Sequence, residues 1–162
     1  MCKNLLLALG AAALAVSATA FAVQDQPLYE NSSRQKVQKQ QSDRLRISFR
    51  NTQFEARLHD NPTTRQFLTR LPMTISMDDI GNKEKYASLA GGLPVDSPLI
   101  NHNAPGQLVY WPTGPGIAIY YKTDGKPVRG GIVVMAEIET GIEKLQTADS
   151  SAITFELIRP ID

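Results

Sequence analysis

Apolar and polar residues alternate one by one over much of this chain, and that period of two constrains the fold more than any other feature. Three apolar residues alternate with polar ones between positions 44 and 50, and three more do so between positions 54 and 59. The polar pair Asn51-Thr52 separates the two runs. Such alternation is typical of a β-strand with one buried and one solvated face, so the two runs predict a hairpin.

The alternation returns in five short segments, around positions 73–77, 108–111, 117–121, 132–138 and 153–157. Turn-forming residues lie between most of these segments. Seven or eight short strands of this kind favour a closed barrel over an open sheet, because closure leaves no unpaired strand edges. The sequence therefore predicts a mostly β fold, built as a small closed barrel.

One segment has the signature of a helix instead. Asn61 can accept a hydrogen bond from the first free backbone N–H groups, and Pro62 loses no bond at the first helical position. Pro72 ends the pattern at Leu71. The segment predicts a helix of about ten residues that closes one end of the barrel.

Two segments carry no clear alternation. Residues 83–89 are expected to form one or two helical turns. Residues 90–106 contain three prolines and are expected to form an irregular loop. Long loops inside compact domains are often functional.

The first 22 residues have the three parts of a secretory signal peptide. A short segment with Lys3 precedes an apolar run over positions 5–16, and Ala20-Phe21-Ala22 matches a cleavage site. An uncleaved membrane anchor is the alternative, but the cleavage site favours removal. We therefore expect an exported protein, periplasmic or secreted, with no membrane insertion after cleavage.

Removal of residues 1–22 leaves 140 residues without any cysteine, because the single cysteine is Cys2. Disulfides, thiolate nucleophiles and cysteine-based metal sites are thereby excluded from the mature protein. Residues 23–43 are polar, with six glutamines, and predict a flexible tether. The barrel domain is expected to occupy residues 44–162.

Charge and motif content exclude several classes of function. A formal net charge of +1 gives no basic excess with which to bind nucleic acid. The two histidines are far apart, and no Gly-x-Ser-x-Gly or phosphate-binding glycine motif occurs. The sequence thus predicts no metal site, no cofactor and no complete catalytic set.

Four aromatic residues lie within twelve positions: Tyr110, Trp111, Tyr120 and Tyr121. Alternation places the members of each adjacent pair on opposite faces of a strand. One member of each pair should belong to the core, and the other should reach the surface and form a partly apolar cleft. The alternative is that all four rings fill the barrel.

The candidate ligand-binding residues are Tyr110, Trp111 and Tyr120, with Glu84 and His102 at the rim of the cleft. Glu84 has a second interpretation, because Glu84-Lys85 is also expected as a solvated charged pair. No residue is predicted to be catalytic.

The order of several motifs resembles the bacterial cyclophilin-like domain family over about residues 44–139, and more loosely to residue 158. In chain order the motifs are Asp60-Asn61-Pro62-Thr63, Phe67-Leu68, Leu71-Pro72, Glu84-Lys85-Tyr86, Leu89, Gly106-Gln107-Leu108-Val109-Tyr110-Trp111-Pro112 and Ile117-Ala118-Ile119-Tyr120-Tyr121. The resemblance implies a small, mostly antiparallel β-barrel of cyclophilin type closed by a helix. The segments that hold the active-site residues of true cyclophilins have no counterpart, so no catalytic residue is carried over.

These observations favour an exported cyclophilin-like domain protein that binds a small molecule or an extended peptide without catalysis. A peptidyl-prolyl cis-trans isomerase is an alternative, because isomerisation needs only an apolar pocket and a hydrogen-bond donor such as Arg50, Arg70 or His102. A protein-interaction module of the cell envelope, with the tether as its reach, is a third hypothesis. The sequence predicts no oligomeric state.

Overall fold

The computed structural model describes residues 44–146 and 149–159, so the predicted signal peptide and tether lie outside the described residues. Its elements are β1 (Arg44–Phe49), β2 (Thr52–Leu58), α1 (Pro62–Leu68), β3 (Met73–Ile80), β4 (Glu84–Ser88), β5 (Gln107–Trp111), β6 (Gly116–Tyr120), β7 (Val133–Ile138), a 3₁₀ helix (Ile142–Leu145) and β8 (Ser151–Ile158). The strands close into a barrel in the order β1-β2-β7-β5-β6-β4-β3-β8. Every neighbouring pair is antiparallel, which confirms the predicted fold class.

The apolar residues of the first alternating run point into the barrel. Leu45, Ile47 and Phe49 of β1 are at most 2% exposed. They pack with residues of the neighbouring strands β2 and β8, such as Phe54 and Phe155, in one continuous core. In this strand the alternation therefore corresponds to the inner and outer faces of the barrel wall, whereas the bulge in β7 places Ile132 and Val134 of the 132–138 run outside it.

Helix α1 packs against the barrel core and is tied to a bulge in β7. The Asn61 side chain accepts from Thr64 N at 2.8 Å and donates to the Val134 carbonyl at 2.9 Å. The β5–β7 register shifts beside that carbonyl, between Leu108 and Val109. Phe67 is fully buried by the helix packing.

The α-helix ends at Leu68, three residues before the predicted end at Leu71. A backbone bond from Leu71 N to the Leu68 carbonyl continues the chain as a tight turn. Such turns are common where an α-helix ends, so the difference concerns only the last residues.

The prediction of helical turns over residues 83–89 is wrong, because this segment contains β4. The strand pairs with β3 and β6. Its alternation was obscured because a lysine occupies an inward position. Lys85 is fully buried, so the expectation of a solvated Glu84-Lys85 pair is also wrong.

The irregular segment 90–106 is fastened to the barrel by its backbone. Arg70 donates to the carbonyls of Ala90, at 2.8 Å, and Gly92. Leu93 N donates to the Tyr110 hydroxyl at 3.0 Å. An isolated antiparallel β-bridge pairs Ile100 of this segment with Ile132.

A second, smaller apolar cluster lies outside the barrel. Val109, Ala118 and Tyr120 point outward from β5 and β6 and are at most 4% exposed. They are covered because the chain after β6 folds back, and Val128 and Ile132 pack over them. This outer layer positions the site described below.

Candidate functional site

A cavity of about 450 Å³ opens to solvent on the outer face of β4, β5 and β6. One side is the barrel wall, and the other is the returning segment 124–129. We call this cavity the outer groove. Its lining contains three aromatic side chains, two carboxylates and three basic side chains.

The aromatic wall consists of Tyr86, Trp111 and Tyr120. The Tyr86 and Trp111 rings meet edge to face, with centroids 6.3 Å apart. Trp111 Nε1 donates to the Arg129 carbonyl at 2.9 Å, and the Tyr86 hydroxyl donates to the Gly114 carbonyl at 3.0 Å. The two rings are therefore held in place by bonds to the surrounding loops.

Small residues give these rings their space. Ala118 lies between Tyr86 and Val109 in the strand register. A Cβ atom at Gly116 would lie 2.6 Å from the Tyr86 hydroxyl and from the Ala87 carbonyl oxygen. Any larger residue at position 116 would displace the tyrosine or the neighbouring strand, so glycine is needed there.

A carboxyl group occupies one end of the outer groove. Glu84 is partly buried, and its carboxylate accepts a hydrogen bond from the Tyr120 hydroxyl, its direct cross-strand neighbour. Burial raises the pKa of Glu84, and the nearby charge of Asp124 raises it further, against the opposing effects of Tyr120 and Lys83. Burial and the adjacent Glu84 also raise the pKa of Tyr120.

The second carboxylate of the outer groove is more exposed. Asp124 lies 3.4 Å from Lys83 Nζ and accepts from the backbone N–H of Lys126 at 3.1 Å. That backbone bond, with the neighbouring lysine charges, lowers the pKa of Asp124. Asp124 is thus ionised in a small charged network, whereas the pKa of Glu84 moves in the opposite direction.

The structure brings together three of the five candidate residues. Glu84, Trp111 and Tyr120 line the outer groove. Tyr110 lies in the barrel core at 3% exposure, and its hydroxyl accepts from Leu93 N. His102 lies in the exposed part of the 90–106 loop and does not line the groove.

The adjacent aromatic residues face opposite sides as expected, but of the two outward rings Trp111 is partly exposed whereas Tyr120 is buried at 4% exposure. Tyr110 and Tyr121 belong to the barrel core, whereas Trp111 and Tyr120 belong to the outer cluster. The alternative in which all four rings fill the barrel therefore does not hold. Tyr86 was missed, because the assignment of residues 83–89 to helical turns concealed that every second residue of β4 faces outward.

The three donors considered for an isomerase lie elsewhere. Arg70 bonds loop carbonyls, Arg50 pairs with Asp149 at 3.2 Å, and neither they nor His102 line the groove. Among the residues that the structure describes, no group of three or more His, Cys, Asp or Glu side chains is placed to hold a metal ion. In the same part of the chain, no helix is long and apolar enough to cross a membrane.

Comparison with known protein families shows where this barrel belongs. The model of the cyclophilin-like family matches residues 47–156, which is more than half of the chain. The chain therefore belongs to the cyclophilin-like family, as the order of its motifs indicated.

A solved structure supports the same fold. The solution structure of the hypothetical protein AF2241 from Archaeoglobus fulgidus is similar, with a TM-score of 0.58 and 21% sequence identity. The match covers 71% of this chain and 94% of that one. The comparison with curated proteins gave no match.

Proposed function

We propose that this protein is an exported, non-catalytic binding module that holds a small molecule or an extended peptide in the outer groove. The observation that carries the proposal is the aromatic wall of Tyr86, Trp111 and Tyr120 around a cavity of about 450 Å³ that is open to solvent. Cavities of about 300–1,000 Å³ with apolar walls and few polar groups are typical of ligand sites.

The length of the outer groove suits an extended ligand. One end is the Glu84–Tyr120 row of the sheet, and the other is the row that contains Gly116 and Trp111. These rows are four residues apart along β6, or about 13 Å at the usual strand rise. An extended peptide of about four residues spans the same length. Fixed aromatic rings bind such segments with little loss of side-chain entropy.

The proposal of export depends on the signal peptide expected in residues 1–22. Expression of the complete chain in a Gram-negative host, followed by mass spectrometry of the periplasmic fraction, tests it. A mature chain that starts at Val23 supports export. A full-length chain retained in the membrane fraction would instead support the uncleaved anchor.

Binding is tested by amide NMR titration of residues 23–162 with a panel of Ala-Pro peptides. We expect shifts at Trp111, at Tyr120 and along 124–129. Trp111→Ala should weaken binding more than about tenfold, as expected when a central aromatic contact is lost. Leu99→Ala is the matched control, because Leu99 is an exposed apolar residue that does not line the groove.

Two outcomes would count against the binding site. Unchanged affinity in Trp111→Ala would mean that the ring does not contact the ligand. Collapse of the dispersed amide spectrum would mean that Trp111 serves mainly to stabilise the fold.

The same titration separates the two alternatives from the leading proposal. Exchange cross-peaks between cis and trans peptide, present only with protein, would establish isomerase activity and overturn a purely binding role. An envelope interaction module would require the tether for its complex. Loss of residues 23–43 without effect on complex formation would count against that role.

A further inference from the structure

The outer groove carries charged side chains of both signs. Glu84 and Asp124 lie near the Glu84–Tyr120 row, and Lys83 lies there too, with its Nζ 3.4 Å from Asp124. At the other end, the backbone carbonyl of Arg129 accepts from Trp111 Nε1. A ligand that reaches the Glu84–Tyr120 row therefore meets a carboxylate whose hydrogen bond comes from a neutral tyrosine.

Glu84 differs from those described carboxylates that pair with a cation. Both neighbours of Glu84 in the chain are basic, but each lies against another carboxylate: Lys83 Nζ is 3.4 Å from Asp124, and Lys85 Nζ is 3.1 Å from Asp79. Glu84 is acted on by the Lys83 charge from that position. Its hydrogen bond comes from the neutral Tyr120 hydroxyl. A partly buried carboxylate of this kind gains most from a cation that arrives with a ligand.

The aromatic wall strengthens the same preference. Tyr120 and Tyr86 are the aromatic residues of the cavity nearest the carboxyl group, whereas Trp111 lies toward the other end. An ammonium or guanidinium group is attracted to the face of such rings, most strongly where water is excluded. The apolar part of a ligand can pack on the same rings.

The basic side chains of the groove do not cancel this attraction. The Lys83 ammonium is balanced by Asp124 at 3.4 Å. Lys126 and Arg129 are exposed, so their longer-range repulsion is weakened by salt. A cation in contact with Glu84 is shielded by the groove and is screened less. The short-range contact therefore determines the preference for charge.

We propose that the outer groove selects a ligand that carries an ammonium or guanidinium group on an apolar body, with the cation against Glu84 and Tyr120. The inference rests on the proposed function, because it names the ligand class of the same site. The cation can belong to a basic side chain of an extended peptide or to a small organic amine.

The test uses Trp111, the single tryptophan of the chain, as a fluorescent reporter in the groove. Residues 23–162 are titrated with acetyl-Lys-Ala-Phe-amide and with its norleucine analogue, which lacks the charge. A second pair of probes, 3-phenylpropylamine and 3-phenylpropanol, tests the small-molecule source. We expect the cationic member of at least one pair to bind about tenfold more tightly than its neutral partner.

Glu84→Gln should abolish the preference for the cation, so that the cationic and neutral probes of each pair bind about equally. Its amide oxygen can still accept from Tyr120. Glu55→Gln is the matched control, because Glu55 is an exposed glutamate that does not line the groove. Amide spectra of both variants check that the fold is retained.

A measurement on the unmutated protein covers the case in which Glu84→Gln does not fold. The groups that act on Glu84 are Lys83, Tyr120, Asp124 and Asp79. Protonation of Glu84 below its raised pKa should weaken binding of the cationic probe and leave the neutral probe unaffected. Since Asp124 has a lowered pKa, it stays ionised over this range.

The outcomes distinguish the two proposals. Equal binding of cationic and neutral probes would overturn the preference for charge and leave the binding function standing. No effect of any probe on Trp111 fluorescence or on groove amides would overturn both. Preference within the peptide pair alone identifies a peptide ligand, and preference within the amine pair alone identifies a small molecule.

Discussion

Each face of the β4–β6 pair places a tyrosine hydroxyl against a carboxylate, and the two faces differ in what else that carboxylate contacts. On the inner face, the Tyr121 hydroxyl donates to Asp79 at 2.6 Å, and Lys85 Nζ lies 3.1 Å from the same carboxylate. On the outer face, the Tyr120 hydroxyl donates to Glu84, and the neighbouring Lys83 lies 3.4 Å from Asp124 instead. The inner carboxylate is already matched by a cation, whereas the outer one can be matched by a ligand.

Burial explains why the inner arrangement must be complete. The side chains of Lys85 and Asp79 are 0% and 8% exposed. Lys85 Nζ also donates to the Asp149 carbonyl at 2.9 Å, which fastens the segment before β8 to the barrel. A buried charge without a partner is strongly destabilising. Asp79, Lys85 and Tyr121, which we call the inner cluster, therefore depend on one another. The outer groove is in contact with water and has no such requirement.

The largest expected effect is from Lys85→Met. The methionine preserves much of the side-chain volume but leaves Asp79 without its ammonium partner, which should reduce the free energy of unfolding by about 3–5 kcal/mol. Lys83→Met is the control. Lys83 pairs with Asp124 at the surface, where such pairs contribute about 0–1 kcal/mol. Urea denaturation of both variants measures the difference. Similar losses in the two variants would contradict a structural role specific to the inner cluster.

The position of Lys85 shows what sequence patterns miss. Period two at residues 84–88 would require Lys85 and Ala87 to face inward, and a lysine is rarely buried without a partner. Its partner Asp79 lies on β3, and Tyr121, which donates to the same carboxylate, directly follows β6. No local pattern could connect these three residues before the strand order was known.

The outer groove, likewise, could be predicted only in part. Alternation showed that Trp111 and Tyr110 face opposite sides, but not which of them faces the core. The difference depends on the returning segment 124–129, which covers the outside of β5 and β6. His102 was proposed only because it lies in a long loop. That loop reaches the outer cluster through Ile100, but His102 is exposed and does not line the groove. The barrel itself was predictable, because alternation and turn residues agree along most of the chain.

Two conservative variants, whose effects on stability should be of intermediate size, compare the inner and outer faces directly. Tyr121→Phe removes the hydroxyl that donates to Asp79, and we expect a loss of about 1.5–3 kcal/mol, as for hydrogen bonds to charged groups. Tyr120→Phe removes the equivalent donor to Glu84, whose carboxylate can be solvated through the groove. Its loss should be smaller, at about 1 kcal/mol or less. Thermal unfolding of both variants gives the ranking, and a reversed order would refute the assignment of the inner face as the structural one.

The smallest expected effect is a difference in pH dependence between the two carboxylates. Burial raises the pKa of Asp79, but its hydrogen bonds to Tyr121 and Lys85 and the lysine charge outweigh burial and lower it overall. Its contribution to stability is therefore present above the unfolded pKa, near 3.8, and is lost as pH falls through the folded pKa. Glu84 has a raised pKa, so its contribution is present below the unfolded value near 4.5 and is lost as pH rises through the folded pKa.

Glu84→Gln should consequently gain a small amount of stability relative to the unmutated protein at pH 7, because no carboxylate then has to be charged in the groove. The gain should shrink as pH falls toward 4, where Glu84 becomes protonated and resembles the amide. Urea denaturation at pH 4, 5.5 and 7 measures it, with Glu55→Gln as the control at an exposed position. A gain for Glu84→Gln that does not change with pH would show that desolvation of the outer carboxylate is not what separates it from the inner one. If the gain follows pH as expected, the unmatched charge of Glu84 has a stability cost that a cationic ligand can relieve.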